Sequence, residues 1–176
     1  MLKKILIIPI GDIDQYILHS ISQKLEKTFH DKLEIGKKIQ LPQDSYDSDR
    51  KQYNSSIILQ NIKPIKPTNV DLILGITDVD LFVPELNFVF GEADVSSGIT
   101  IISLLRLKPE FYGETPDMKL FLERAEKEAI HELGHAYWLG HCTNPNCIMY
   151  FSNTIYDTDI KGSGFCRKCR RLLGYF

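Results

Sequence analysis

The spacing of hydrophobic residues predicts a chain that begins with a strand, a helix and a second strand. Residues 3–10 (KKILIIPI) form a short apolar run typical of a buried strand. Within residues 13–29, apolar side chains recur at every fourth position, the spacing of an amphipathic helix. The stretch 32–41 (KLEIGKKIQL) alternates apolar and polar residues well enough for a second strand.

The middle of the chain predicts one more helix and three more strands. A polar stretch at 42–52 is expected to form a loop that opens a helix from about residue 49 to 62, ended by Pro64. Three apolar stretches predict strands: 70–77 (VDLILGIT), 87–93 (NFVFGEA) and 98–107 (GITIISLLRL). Strands and helices in this order indicate an α/β fold, a sheet flanked by helices.

The last third predicts a long helix and a small irregular tail. Thr115 followed by Pro116 is a helix start signal, so a helix is expected over 116–137. The tail is rich in turn residues up to Gly164, and a short helix is expected over 167–173. We therefore expect one domain, 1–176, with an N-terminal subdomain at 1–141 and a C-terminal subdomain at 142–176.

Composition and charge narrow the function classes. The 176 residues carry a formal net charge of −2, which gives no general attraction to nucleic acid or to an anionic membrane. The N-terminus MLKKILIIPIG has an apolar run of about seven residues and no cleavage site, which favours a strand over a signal peptide. We expect a cytoplasmic location, no membrane partner and a monomer. A basic stretch, CRKCRRLL, leaves nucleic-acid binding open as a less favoured alternative.

The stretch HELGHAYWLGHC, residues 131–142, has the spacing of a metal site. His131 and His135 are four residues apart, so on a helix both imidazoles project from one face, as two ligands of one zinc ion must. Glu132 lies about 100° around the helix and can reach a zinc-bound water without binding the metal, the geometry of a general base. The simpler interpretation is a polar helix face with two solvated histidines.

A third histidine, His141, can join this site only if the helix ends first. On an unbroken helix, His141 would lie about 15 Å beyond His131 along the axis, too far to share an ion. A three-histidine site therefore requires a turn between His135 and His141.

The cysteines form a second candidate metal site. Cys142, Cys147, Cys166 and Cys169 are spaced as C-x4-C and C-x2-C. Four thiolates in this pattern are typical of a structural zinc site with no open position for water. Two disulfides are the alternative.

Residues 131–149 resemble the metzincin zinc peptidases, and the run from His141 to Cys169 resembles, more narrowly, the archaemetzincins. The metzincin pattern is HExxHxxGxxH followed by a methionine turn, and His131, Glu132, His135, His141 and Met149 match it. As in the archaemetzincins, the third histidine is followed at once by a cysteine, in a C-x4-C-x-M pattern that ends at Met149, and a closing C-x2-C follows. The stretches GITDVDLFVPELNFVFGEAD and RLKPEFYG are also similar to that family. The resemblance covers about residues 70–169, and we expect it to extend over the whole chain.

The resemblance implies a fold, a site and a reaction. The fold would be a metzincin-like mixed twisted sheet with an active-site helix, a small zinc-anchored C-terminal subdomain and a cleft lined by the strand around 98–105. The chain would hydrolyse peptide bonds with a zinc-bound water activated by Glu132, and Met149 would form the floor under the metal. Two zinc ions per chain are implied, a catalytic one on His131, His135 and His141 and a structural one on the four cysteines.

Trp138 departs from the family pattern. It occupies the position of the glycine that lets the backbone leave the helix through a left-handed turn. Either Trp138 adopts that conformation at a cost of about 1–2 kcal/mol, or the turn moves to Gly140 and misplaces His141. In the second case the chain would be a catalytically impaired zinc protein that acts as a binding module.

Overall fold

A computed structural model describes residues 2–174 and contains eight strands and five α-helices in that range. Short 3-10 segments lie at 43–45, 63–65, 105–107 and 109–112. The elements, in chain order, are β1 (Lys4–Ile10), α1 (Gln15–Phe29), β2 (Lys32–Ile35), β3 (Tyr46–Asp47), β4 (Gln52–Asn54), α2 (Ser55–Ile62), β5 (Leu72–Thr77), β6 (Leu81–Phe82), β7 (Gly91–Asp94), β8 (Ile99–Ser103), α3 (Met118–Ala136), α4 (Ile155–Ile160) and α5 (Arg167–Leu172).

The main sheet is mixed, with strand order β2-β1-β5-β8-β7. The first four strands run parallel to one another, whereas β7 pairs antiparallel with β8 and forms an edge. Three short strands that lie between α1 and β7 in the sequence form a small second sheet, in the order β3-β4-β6. The fold is therefore the predicted mixture of helices and a mixed sheet.

Alternation along the parallel strands builds a core on each face of the main sheet. On β1, Ile5 and Ile7 join the larger core, which also contains the apolar faces of α1 and α3. Ile8 and Ile10 point the other way, into the core beneath α2. The sheet is thus covered by α1 and α3 on one face and by α2 on the other.

Side-chain caps fix where the helices begin. Asp14 accepts a hydrogen bond from the Tyr16 N–H at the start of α1. Asp117 does the same for the N–H of Leu120 at the start of α3. The predicted start of α3 at Thr115 and Pro116 is therefore wrong by about two residues, because the Asp117 carboxylate supplies the N-cap.

Other predicted elements are shorter than their hydrophobic patterns suggested. The strand predicted over 32–41 ends at Ile35, and beyond it only Ile39 makes a bridge, to Ile10. The helix predicted from residue 49 begins at Ser55, because residues 52–54 form β4 and Asn54 caps the helix. The strands predicted over 87–93 and 98–107 are confirmed as β7 and β8 with shifted ends.

The segment after α3 packs against that helix through buried charges. Arg124 donates two hydrogen bonds to the Asp159 carboxylate, both at 2.7 Å, and Lys127 donates to the carbonyls of Thr158 and Asp159. Several apolar residues of this segment, such as Ile148, belong to the larger core. The predicted division of the domain into subdomains 1–141 and 142–176 stays a prediction. Residues 1, 175 and 176, at the ends of these ranges, lie outside the described residues.

Within residues 2–174, no helix is both long enough and apolar enough to cross a membrane. The longest of them, α3, contains 19 residues and carries the HELGH motif at its C-terminal end.

Candidate metal centre and active-site cleft

The helix α3 ends at a Schellman turn built around Trp138. Trp138 N–H donates to the His135 carbonyl at 2.8 Å, and Leu139 N–H donates to the Gly134 carbonyl at 3.0 Å. Trp138 has φ of 67°, in the left-handed region, and its side chain is 75% exposed. Trp138 therefore adopts the left-handed conformation itself, and the turn does not move to Gly140.

The turn brings the three histidines of the motif together. The Nε2 atoms of His131 and His135 lie 3.1 Å apart, and one ring nitrogen from each of His131, His135 and His141 lies within 4.8 Å of the others. Two nitrogens bound to one tetrahedral zinc ion at about 2.0–2.1 Å would lie about 3.4 Å apart. The three imidazoles therefore fit a single tetrahedral ion that keeps one position open.

Backbone carbonyls hold two of the imidazoles. His131 Nδ1 donates to the Ile148 carbonyl at 2.9 Å, and His135 Nδ1 donates to the Leu139 carbonyl at 2.8 Å, when each ring carries its proton on Nδ1. That tautomer leaves both Nε2 atoms as electron-pair donors, as metal ligation requires.

The environment of the histidines keeps them neutral. Burial, with the positive charge of Lys161, lowers the pKa of His131 to about 3. Burial likewise lowers the pKa of His135, and burial together with the charge of His135 lowers the pKa of His141. Protons therefore compete weakly for the ring nitrogens near neutral pH.

Glu132 lies between the helix and the edge strand. Its side chain is buried, and a Cβ atom added to Gly91 of β7 would lie only 2.6 Å from Glu132 Cγ. Gly91 thus allows the strand to approach the helix closely at this carboxylate. Burial, reinforced by the Glu128 carboxylate, raises the pKa of Glu132 well above its ordinary value, toward the range suited to a general base.

A buried ion pair lies one helical turn before Glu132. Lys161 Nζ donates to Glu128 Oε1 at 2.8 Å, Thr158 Oγ1 donates to the same oxygen at 3.2 Å, and both charged side chains are almost fully buried. Burial is the largest single effect and works to raise the pKa of Glu128, but the charge of Lys161 and the hydrogen bonds from Lys161 and Thr158 act together against it, and the pKa is lowered on balance. No local sequence pattern indicates this pair, because its members are 33 residues apart.

Met149 packs against α3 at the HELGH motif. The side chain is fully buried, and a Cβ atom on Gly134 would lie 2.4 Å from Met149 Sδ. Gly134, in the middle of the HELGH motif, is therefore required by the close approach of the methionine sulfur. Tyr150, the next residue, is not among the side chains that line the cleft above the histidines.

A cleft of about 530 Å³ opens over Glu132 and the three histidines. One wall consists of residues 86–93 with Val95, and the other includes the motif residues, Phe151 and Asn153. The prediction that the strand around 98–105 lines the cleft is wrong. In this fold β8 is paired on both sides, and β7 is the strand that presents its free edge.

The four cysteine sulfurs form a separate cluster. Cys142 Sγ lies 3.8 Å from Cys166 Sγ, and Cys147 Sγ lies 3.7 Å from Cys169 Sγ. All four thiols are free. Sulfurs bound tetrahedrally to zinc at about 2.3 Å would lie about 3.8 Å apart, whereas a disulfide bond is about 2.05 Å long.

The thiols of this cluster differ in acidity. A hydrogen bond from the Cys169 N–H lowers the pKa of Cys166 to about 7. Burial raises the pKa of Cys147 and of Cys169. The lowered pKa of Cys166 favours the thiolate form that metal binding requires.

Comparison with known proteins agrees with this geometry. The model of Peptidase family M54 matches residues 2–174. The chain is 44% identical to the archaemetzincin of Methanocaldococcus jannaschii over 98% of this chain and 94% of that protein. Among solved structures, a zinc-dependent peptidase from Methanocorpusculum labreanum superposes with a TM-score of 0.88 at 31% identity, covering 96% of this chain and 99% of that one. The archaemetzincin of Methanopyrus kandleri superposes with a TM-score of 0.86 at 34% identity, covering 98% and 94% of the two chains.

A metzincin-like fold with three converging histidines and a buried glutamate defines a zinc metallopeptidase. The chain belongs to peptidase family M54, the archaemetzincins, over nearly its whole length.

Proposed function

We propose that the chain cleaves peptide bonds by attack of a water molecule that Glu132 deprotonates, at a zinc ion held by His131, His135 and His141. The proposal rests above all on the convergence of the three ring nitrogens within 4.8 Å beside a buried carboxylate. When bound, zinc lowers the pKa of a coordinated water and polarises the carbonyl of the substrate.

Glu132 serves as the base. Its carboxylate follows His131 on the same helix and opens into the cleft. Its raised pKa lets it hold the proton it removes and then deliver it to the leaving amine. The close approach of β7 at Gly91 restricts the position of the carboxylate.

The substrate is an extended peptide that pairs with β7. Within the described residues β7 pairs with β8 alone, so its outer N–H and C=O groups face the cleft. A peptide commonly binds such an edge as an added strand, which forms hydrogen bonds with the free backbone N–H and C=O groups. Exposed Leu86 and Phe151 flank the opening and would contact apolar side chains of the peptide.

The second zinc ion binds to Cys142, Cys147, Cys166 and Cys169. The sulfur separations of 3.7 and 3.8 Å support this assignment. With four protein ligands the site has no open position, so its role is structural. A cytoplasmic location and a monomeric state complete the proposal, and nucleic acid is not expected as a partner.

Glu132→Gln tests the mechanism. Gln keeps the size of the side chain but cannot accept the proton, so hydrolysis of a mixture of short peptides should fall by about 10²–10⁴-fold with zinc content unchanged. Glu123→Gln is the matched control, because Glu123 lies on the same helix with its side chain 51% exposed. Retained activity in Glu132→Gln would contradict the mechanism. Absence of peptide hydrolysis by the wild type with both sites filled would favour the binding module.

A further inference from the structure

The left-handed turn at Trp138 is adopted without the glycine that makes such a turn cheap, so other contacts must hold it. Within the turn, the two Schellman hydrogen bonds fix the backbone only relative to α3 itself. A side chain that also contacts the rest of the protein is needed to fix the direction in which the chain leaves the helix.

Tyr137, the residue immediately before the turn, makes such contacts. Its ring stacks on Phe29 at a centroid distance of 4.9 Å and an angle of 12°. Lys3 Nζ lies 4.0 Å from the centroid of the same ring, and the hydroxyl donates to Asp31. These partners come from the first 31 residues: Lys3 immediately precedes β1, Phe29 ends α1, and Asp31 lies between α1 and β2. The end of α3 is thereby joined to the main sheet.

Leu139 fixes the other side of the turn. Its side chain is buried in the larger core, and its carbonyl accepts from His135 Nδ1 at 2.8 Å. With Tyr137 and Leu139 both held, the backbone between them has to bend at Trp138, whose indole extends into solvent.

We propose that Tyr137 is a positioning residue that holds the strained turn and thereby places His141. This inference rests on the proposed metal site, because its main consequence is the affinity of the three histidines for zinc. It further implies that the contacts of Tyr137 stabilise the left-handed turn, which a glycine at position 138 would allow without them.

A double-mutant cycle between positions 137 and 138 tests the proposal. Tyr137→Ala should weaken zinc binding at the histidines by about tenfold, the factor that corresponds to the strain of one left-handed residue. In a Trp138→Gly background the same change should cost about twofold or less, because glycine adopts the turn unaided. Tyr137→Phe keeps the ring and removes only the hydroxyl, so it measures the contribution of the hydrogen bond to Asp31 separately. The affinities are measured by competition with a chromogenic chelator.

Tyr53→Ala is the matched control, because Tyr53 is also partly buried and packs on another aromatic ring, at 4.9 Å from Tyr46, on the opposite face of the sheet. It should leave zinc affinity unchanged. An equal loss from Tyr137→Ala in both backgrounds, or no loss in either, would overturn the proposal.

A second measurement does not depend on zinc. Trp138 is the single tryptophan of the chain, so its fluorescence anisotropy reports on the turn itself. In a His131→Ala background, which cannot hold the ion with three histidines, Tyr137→Ala or Tyr137→Phe should lower the anisotropy of the indole. Unchanged anisotropy in both would contradict the inference. If the wild-type histidines bind no zinc, the proposed function fails and the anisotropy alone decides this inference.

Discussion

His131 Nε2 and His135 Nε2 lie 3.1 Å apart, on the side of each ring opposite a backbone carbonyl. The carbonyls belong to Ile148 and Leu139, on two segments that both follow the helix. The separation of the two nitrogens is therefore set by contacts within the protein, and the fold itself arranges these two ligands for metal binding.

Gly91→Ala should impair both catalysis and stability. The added Cβ would lie 2.6 Å from the Ile101 carbonyl and 2.6 Å from Glu132 Cγ, so strand and helix must separate and the carboxylate must move. We expect activity to fall about 10²-fold and the free energy of unfolding to fall by about 1–3 kcal/mol. Peptide hydrolysis and urea unfolding measure the two effects. Gly164→Ala, where a Cβ would meet no atom within 4 Å, is the control and should be neutral.

Lys161→Met should destabilise the fold strongly. It leaves the buried Glu128 carboxylate without its cation, at a cost of about 3–5 kcal/mol. The double change Lys161→Met with Glu128→Leu should recover most of this loss, because it removes both charges. Urea unfolding of the two variants makes the comparison. Equal destabilisation in the single and double variants would mean that the ion pair is not the cause.

Replacement of Cys166 and Cys169 by serine should remove one zinc ion per chain. It should also weaken zinc binding at the histidines, on the order of tenfold. The expected link is Cys142, which is adjacent to His141 and whose N–H donates to the Met149 carbonyl at 2.8 Å. Metal analysis with chelator competition measures both losses. Unchanged affinity at the histidines in a folded variant would disprove the coupling.

Asp94→Asn should destabilise the turn between β7 and β8 in a pH-dependent way. Hydrogen bonds from the hydroxyls of Ser96 and Ser97 lower the pKa of Asp94 to about 2. A lowered carboxyl pKa stabilises the fold above the pKa of the unfolded chain, and this contribution is lost as the pH falls from about 4 toward 2.

Since the Asp94 side chain is 34% exposed, solvent screening reduces the expected effect at pH 7 to about 1 kcal/mol. The difference from wild type in the free energy of unfolding should shrink between pH 7 and pH 3. Asp12→Asn, at a side chain 93% exposed, is the control and should change little at either pH. A difference that stays constant with pH would assign the effect to packing.

The hydrophobic pattern located the long elements because each buries one face along its whole length. The four-residue repeat from Ile13 to Leu25 corresponds to the buried side of α1, and the apolar run ending at Thr77 corresponds to β5, which is covered on both faces. The strands β3, β4 and β6 were missed because two or three residues are too few to show a period.

The clustering of the three histidines and of the four cysteines could be predicted because metal ligands close in sequence have fixed spacings, and their role as zinc ligands stays a prediction. The parts of the site that depend on distant contacts could not be found in that way. Gly91 approaches Glu132 across the sheet, and Tyr137 contacts Phe29 and Lys3. The cleft strand was wrongly assigned because local alternation does not tell which of two neighbouring strands forms the edge of a sheet.

Anomalous scattering at the zinc absorption edge both counts and locates the ions, and so shows whether the three histidines bind one zinc ion together. Two peaks per chain are expected. One should lie about 2.0–2.1 Å from a nitrogen of each of His131, His135 and His141, and the other about 2.3 Å from four cysteine sulfurs. A single peak at the cysteines, with His141 directed away from His131, would contradict this expectation.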